Sequence, residues 1–106
     1  LDWVLAGTVQ LDLDMPQNQP HRAEVAKLLV HPAARRHGVA RALMAQAEQA
    51  ARAAGRSLLV LDTRRGDAAE ALYRMLGWQE AGVIPGYALD AAGTPQDTVF
   101  FWKALR

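Results

Sequence analysis

The sequence predicts an α/β protein with a mixed central sheet in three layers, and three observations support this prediction. Short apolar runs rich in valine and leucine alternate with two longer segments of helical spacing. Turn residues separate these segments, and two further strand-like runs follow the second helical segment. The predicted order is therefore strand, strand, helix, strand, helix, strand, strand.

Length and composition indicate a single domain. The chain has 106 residues, of which 51% are hydrophobic and 22% charged, and residues 1–106 are expected to form one unit. A net charge of +1 gives no global field for nucleic acid or a membrane surface, so neither is an expected partner. The absence of cysteine excludes disulfides, thiolate metal sites and a cysteine nucleophile, and it fits a cytoplasmic location.

The first half of the chain contains two strands and a helix. Leu1–Asp12 is apolar and β-branched, which predicts one strand or two closely joined strands. Arg22–Val30 alternates and then becomes continuously apolar, as in a strand that enters the middle of a sheet. Val39–Ala54 is the clearest helix, with Gly55 as its C-terminal cap. Its predicted apolar stripe contains Leu43, Ala47, Ala50, Ala51 and Ala54.

The second half contains a strand, a helix and a hairpin. Ser57–Thr63 is a short buried strand. The second helix is predicted to begin at Asp67, where Glu70 completes a capping box, and to end at Gly77. Its predicted apolar stripe contains Ala68, Leu72, Met75 and Leu76.

Two strand-like runs, Trp78–Leu89 and Thr98–Leu105, end the chain, and the polar linker between them predicts a hairpin. The apolar run Val99–Trp102 fits an interior strand, and it equally fits a contact in a homodimer. The sequence leaves both interpretations open.

The first chemical signal is the loop between the Arg22–Val30 strand and the following helix. A helix N-terminus presents unpaired N–H groups and the positive end of the helix dipole, which together attract an anion. Gly38 allows a close approach of the backbone to a phosphate, and arginines flank it. The predicted anion site contains Arg35, Arg36, His37, Gly38, Val39, Ala40 and Arg41. The alternative is a solvated basic turn before a helix.

These residues carry a family resemblance. Arg35-x-x-Gly38-x-Ala40, after an apolar strand, resembles the signature (Gln or Arg)-x-x-Gly-x-(Gly or Ala) of the GNAT superfamily of N-acetyltransferases. Ala71–Trp78 is similar to that family's second motif, a helix that bears an aromatic residue and ends in Gly and an aromatic residue. The segments GTVQL, RAEVAKLLV, LDT and IPGY are similar to the tabtoxin-resistance acetyltransferases.

The resemblance implies a GNAT-like α/β/α fold with a splayed central sheet and acetyl-CoA in the gap between the two central strands. Backbone groups of Leu28, Leu29 and Val30 would bind the pantetheine as an added strand, and backbone amides of Arg36–Arg41 would hold the pyrophosphate. The family's first strand and first helices have no counterpart here. Because the chain begins at Leu1, without Met, we expect an N-terminally incomplete domain whose acceptor pocket lacks one wall.

Acetyl transfer from a thioester to an amine requires a neutral amine and a protonated leaving thiolate. In the second GNAT motif, the tyrosine at the place of Tyr73 points its hydroxyl towards the CoA sulfur, so the resemblance implies that Tyr73 is the acid. The alternative is a core aromatic residue whose hydroxyl is satisfied within the protein.

Two carboxylates are candidate bases for the acceptor amine. Strand alternation predicts that Glu24 lies on one apolar sheet face with Ala26, Leu28 and Val30, where loss of hydration would make it a stronger base. Its alternative is an ion pair with Arg22, Lys27 or a cross-strand neighbour. Asp62 ends an apolar strand facing the cleft, and its alternative is to cap the following turn.

The sequence therefore predicts an acetyl-CoA-dependent N-acetyltransferase that acts on the primary amine of a small molecule. His21, His31 and His37 lack the spacing of metal ligands, so no metal is expected. The alternative function is a non-catalytic acetyl-CoA-binding module, serving as a sensor or as half of an assembly. A protein or tRNA acetyltransferase is a weaker idea, because no basic face for a polyanion is present in the sequence.

Overall fold

The computed structural model describes residues 6–35 and 38–105, and their elements follow one another in the predicted order. Their bounds are β1 Gly7–Asp12, β2 Arg22–Val30, a 3-10 turn Pro32–Ala34, α1 Val39–Ala53, β3 Leu58–Arg64, α2 Ala69–Met75, β4 Gln79–Leu89 and β5 Pro95–Ala104. The first five residues of the predicted Leu1–Asp12 strand lie outside the described residues. Across the described ranges, no helix is long and apolar enough to cross a bilayer.

The strands form one mixed sheet in the order β1-β2-β3-β5-β4. β2 and β3 are parallel, and all other neighbours are antiparallel. α1 connects the parallel pair, which needs a long crossover, whereas β4 and β5 form the predicted hairpin. β5 is hydrogen-bonded to β3 on one edge and to β4 on the other. The run Val99–Trp102 is therefore part of an interior strand.

Both helices cover the same face of the sheet. Leu59, Leu61 and Phe101 point to this face and are buried in a single core cluster with residues of α1 and α2. Lys103 follows Phe101 by two residues on β5 and contacts both helices. The mixed α/β fold is thus confirmed. Within the described residues the opposite face carries no helix, so two of the three predicted layers are present there.

The helices bury only part of the side chains that were predicted. In α1, Ala47 and Ala51 are buried as predicted, together with Met44, which was not in the predicted stripe. Ala50 and Ala54, placed in the predicted stripe, are exposed because α1 meets the sheet along a narrower line. In α2 the buried residue is Tyr73, whereas Met75 is 67% exposed. α2 is only seven residues long, and beside Tyr73 its Ala69 packs partly buried against the core.

α2 begins two residues later than predicted, and its start is capped by two carboxylates. Asp67 Oδ1 accepts a hydrogen bond from the Ala69 N–H at 2.9 Å. The Glu70 carboxylate accepts one from the Gly66 N–H, one residue earlier than a capping box requires. The end of α2 is as predicted, since Gly77 adopts a left-handed φ of 90°. These contacts fix the turn between β3 and α2.

Candidate active site

A β-bulge at Lys27 reverses the alternation of β2. Lys27 has a φ of 55°, which is unusual for a residue other than glycine, and with Leu28 it faces a single residue of β1. Beyond the bulge, Val30 pairs with Gly7, which faces α1. Glu24 precedes the bulge and lies on the helix-free face. The prediction that Glu24 shares a face with Leu28 and Val30 is wrong, because it assumed an unbroken strand.

The two central strands diverge shortly after they begin. The last paired positions of β2 and β3 are Glu24 and Val60, although β2 continues to Val30 and β3 to Arg64. The segment Val25–Val30 therefore has no strand pairing on its β3 side in the described structure. This divergence is the splay that the family resemblance implied.

The free edge of β2 presents backbone hydrogen-bonding groups to the gap. The His31 N–H donates to the Ala6 carbonyl at 2.7 Å, on the side of β1. Successive residues of an antiparallel strand direct their N–H and C=O groups to opposite edges. The Val30 N–H and C=O therefore point into the gap, where an extended amide-containing chain can pair with them.

The gap is part of a continuous cleft made of three cavities. The central cavity has a volume of about 200 Å³ and is lined by Asp62, Tyr73 and the bulged segment of β2. It adjoins a groove of about 620 Å³ between residues 28–30 and 67–72. That groove adjoins a pocket of about 250 Å³ at the start of α1, because the two share Val30 among their lining residues.

Five residues of the predicted anion site line the pocket at the start of α1: Arg35, Gly38, Val39, Ala40 and Arg41. Gly38 is the N-cap residue with a φ of 74°, the first turn carries no acidic residue, and among the described residues no side chain caps the helix. Arg35 lines both the pocket and the groove, and Arg41 lines the pocket. The predicted binding residues Arg36 and His37 lie outside the described residues. The N–H groups of the first helical turn are thus positioned for an anion.

Tyr73 is buried where α2 crosses the sheet, at 5% exposure, and its side chain lines the central cavity. Its ring centroid lies 6.2 Å from that of Trp78 and 5.7 Å from that of Phe101, in tilted geometries. Burial, followed by the negative charge of Asp67, raises the pKa of Tyr73 to about 12. The phenol therefore remains protonated at neutral pH and can donate a hydrogen bond into the cavity.

The titration of Tyr73 can be measured directly, because the chain has only two tyrosines. In a Tyr87→Phe variant, we expect the absorbance change at about 295 nm from tyrosinate to have its midpoint near pH 12. The folded-state pKa is raised, so this group's contribution to the free energy of unfolding is full below about pH 10 and falls between pH 10 and 12. A midpoint near pH 10 in the folded protein would show that the ring is not buried.

The two candidate bases lie on the same helix-free face but in different surroundings. Asp62 is exposed and pairs with Phe100 of the neighbouring strand β5. It lines the central cavity and also a second pocket, which lies towards the β4–β5 hairpin. The turn after β3 is capped by Asp67 and Glu70. Asp62 lines the cleft, but it does not end its strand as predicted, because β3 continues two residues beyond it to Arg64.

Glu24 forms the ion pair that was the alternative to its catalytic role. Its Oε1 lies 2.7 Å from Arg22 Nη1, and its side chain is 46% exposed. The loss of hydration on which the predicted base depended is therefore absent. Glu24 is also not among the residues that line the central cavity.

Two features of the cleft were not predicted from the sequence. The bulge at Lys27 has no glycine to signal it, and Asp67 was interpreted only as a helix cap although it also lines the cleft and acts on Tyr73. In residues 6–35 and 38–105, no group of three or more histidine or acidic side chains is placed to hold a metal ion.

Comparisons with known proteins agree with this geometry. An uncharacterized N-acetyltransferase from the hisH-hisA intergenic region of Azospirillum brasilense is 44% identical over 66 residues, which are 60% of this chain and 39% of that protein. The crystal structure of a ribosomal-protein-alanine N-acetyltransferase from Brucella melitensis is similar with a TM-score of 0.84 and 27% identity, covering 94% of this chain and 62% of the other. The chain thus spans less than two thirds of these relatives.

A third comparison concerns the fold alone. The structure of yncA from Salmonella typhimurium, which was determined with its cofactor acetyl-CoA, has a TM-score of 0.86 and 24% identity over 97% of this chain and 60% of the other. The family model described as the Acetyltransferase (GNAT) family matches residues 2–78, which include the anion loop, the splayed strands and α2. The chain belongs to the GNAT family of acetyltransferases.

Proposed function

We propose that the protein transfers the acetyl group of acetyl-CoA to the primary amine of a small molecule in the cytoplasm. The observation that carries the proposal is the continuous cleft. It joins a helix N-terminus suited to phosphates, a free strand edge suited to an amide chain, and a cavity shared by Asp62 and Tyr73. These three parts match, in order, the pyrophosphate, the pantetheine and the thioester of acetyl-CoA.

The described residues fit acetyl-CoA on structural grounds. The N–H groups at the start of α1 and the Arg35 guanidinium would hold the pyrophosphate. The Val30 N–H and C=O would pair with the pantetheine amides, and Leu28 and Leu29 would line its path. Acetyl-CoA supplies the activated acyl thioester, and yncA, a structural neighbour, was determined with it.

Tyr73 and Asp62 approach the central cavity from opposite faces of the sheet. The Tyr73 hydroxyl would donate a hydrogen bond to the leaving sulfur. With its pKa at about 12, the phenol is a weaker acid than a typical thiol, so it stabilises the thiolate without giving up its proton completely. The Asp62 carboxylate would hold the acceptor ammonium or accept its proton.

Two classes of acceptor come into consideration, a small molecule and a protein N-terminus. The resemblance to tabtoxin-resistance acetyltransferases favours a small amine, whereas the Brucella melitensis neighbour is named for the alanine of a ribosomal protein. Both acceptors present a primary amine, which Asp62 can bind. We place the small molecule first because the pocket between Asp62 and the β4–β5 hairpin has a volume of only about 220 Å³.

A second candidate function is non-catalytic binding of acetyl-CoA. It is favoured by one observation, namely that Glu24, one of the two candidate bases, is paired with Arg22 and does not line the central cavity. In that case the cofactor groove would work as a sensor or as one half of an assembly, which includes a homodimer.

The two functions are separated by measuring binding and turnover on the same sample. We expect acetyl-CoA to raise the Tm, and a thiol-release assay to show turnover with a panel of small primary amines, including amino acids. Turnover only on peptides that begin with alanine would replace the small-molecule acceptor with a protein N-terminus. Stabilisation by acetyl-CoA without turnover on any amine would support the non-catalytic module instead.

The role of Asp62 is tested against a carboxylate on the same face. We expect Asp62→Asn to lower kcat/KM about 10²-fold, the lower end of what a general base contributes. Glu24→Gln serves as the matched control, because Glu24 is paired with Arg22 and does not line the central cavity. Equal losses of kcat/KM in the two variants would show that Asp62 has no special role. A pH profile of kcat/KM that changes only in Glu24→Gln would assign the base role to Glu24.

A further inference from the structure

α2 carries Tyr73 and packs on the sheet through few side chains, with Ala69 and the terminal Leu76 partly buried against the core beside it. It spans seven residues, and its one buried side chain is Tyr73 itself. Arg74 forms ion pairs with Glu70 and Glu80; the Glu70 side chain is 15% exposed, but those of Arg74 and Glu80 are about half solvated, at 49% and 43%. Exposed pairs of this kind hold a helix weakly. The position of Tyr73 therefore depends on contacts at the ends of α2.

The C-terminal end of α2 is tied by Lys103 of β5. Lys103 Nζ donates to the Leu76 carbonyl at 2.6 Å, and Leu76 is the residue that ends α2. This carbonyl is one of those that the helix itself leaves unpaired, and a cation there complements the negative end of the helix dipole. The Lys103 side chain is 22% exposed, so the contact is shielded from solvent compared with the Arg74 pairs.

The same ammonium group is anchored on α1. Both carboxylate oxygens of Glu48 lie 3.1 Å from Lys103 Nζ, and the Glu48 side chain is 15% exposed. Glu48 also binds Arg52 Nη2 at 3.0 Å, one turn further along α1. Lys103 therefore links α1, which begins at the anion loop, to the end of the helix that carries Tyr73.

We propose that Lys103 is a positioning residue for acetyl transfer, which fixes the Tyr73 hydroxyl at the cleft by fastening the end of α2 to α1. The inference rests on the proposed function, in which Tyr73 serves the leaving sulfur. Tyr73 lies three residues before Leu76, so a shift of the α2 terminus moves its ring directly. Glu48 holds the ammonium in place, and Lys103 does not itself line the three cavities of the cleft.

The first arm of the experiment measures turnover. We expect Lys103→Met to lower kcat about tenfold, since a displacement of 1 Å can cost up to 10²-fold, and to change KM for acetyl-CoA less than about twofold. Arg52→Met is the matched control, because it removes a cation from the same Glu48 without touching α2. Lys103→Arg, which keeps the charge and the reach, is expected to restore most of kcat. An equal loss in Arg52→Met would overturn the proposal.

The second arm asks whether Lys103 acts through Tyr73. In a Tyr73→Phe background, Lys103→Met is expected to lower kcat less than about twofold, because the group that it positions is already absent. The same tenfold loss in both backgrounds would show that Lys103 acts elsewhere. If Tyr73→Phe alone has full activity, the assigned role of Tyr73 fails, and with it the proposal for Lys103.

The third arm needs no turnover, so it separates failure of this proposal from failure of the proposed function. At neutral pH, Lys103→Met is expected to speed amide hydrogen exchange in α2 about tenfold, because the end of this short helix is no longer fastened. Arg52→Met is expected to leave that exchange unchanged. Unchanged exchange in a folded Lys103→Met protein contradicts the proposal. If that variant does not fold, Glu48→Gln carries the same tests.

Discussion

Replacing Tyr73 with phenylalanine is expected to lower kcat about 10²-fold, the loss typical of one hydrogen-bond donor to a developing anion. The ring fills the same space against Trp78 and Phe101, so the fold is retained and only the hydroxyl is lost. Because the proposed partner of that hydroxyl is the thiolate and not the resting thioester, KM for acetyl-CoA should change little. The measurement is steady-state kinetics with the acceptor found in the amine panel, at several pH values.

Two controls accompany this variant. The Kd of acetyl-CoA, measured by calorimetry, should stay within about twofold of wild type, and the Tm should fall by only a few degrees. A variant that keeps full kcat across the pH range would remove the acid role and return Tyr73 to a purely structural one. A parallel loss in kcat and in acetyl-CoA affinity would point instead to a disturbed groove.

Replacing Gly7 with alanine is expected to destabilise the protein by about 2–3 kcal/mol, at the upper end of the usual cost of overpacking. A Cβ at this position would lie 2.8 Å from the Leu29 carbonyl oxygen and 3.0 Å from both Leu43 Cδ1 and Val39 Cγ1. The carbonyl belongs to the β2 backbone and cannot rotate away, so either α1 or β1 must move. We expect a Tm about 10 °C lower in thermal unfolding.

The same substitution should weaken acetyl-CoA binding, because Val39 is the first residue of α1 and lines the pocket of the anion loop. An increase in Kd of about tenfold, or about 1.4 kcal/mol, is expected from calorimetry. Gln10→Ala, on the exposed face of the same strand, adds no atom towards α1 and should leave both values near wild type. Normal stability and affinity in Gly7→Ala would mean that α1 does not pack closely on β1.

Local patterns in the sequence predicted the elements well because each has its own signal. Alternation followed by an apolar run, with Pro32 beyond it, gave the bounds of β2 as they are observed. Gly55 and Gly77 ended the two helices because both positions need a left-handed backbone. The predicted anion loop also has a local signal, since its glycine and its arginines lie close together in the chain.

Features that depend on tertiary packing could not be predicted in this way. The bulge at Lys27 places a lysine in a left-handed conformation, and no residue type in Arg22–Val30 signals it. The side of the sheet on which Glu24 lies, and hence its separation from the cleft, depends on that single position. Tyr73 was predicted from a family motif, whereas the contact of Lys103 with two helices joins residues 55 and 27 positions apart in the chain.

The bulge at Lys27 also has a consequence for mutational tolerance. It separates Arg22–Ala26, which presents its outward side chains to the helix-free face, from Leu28–Val30, which borders the groove. A substitution at Glu24 changes no residue that lines the groove, so the two parts of the strand can vary separately.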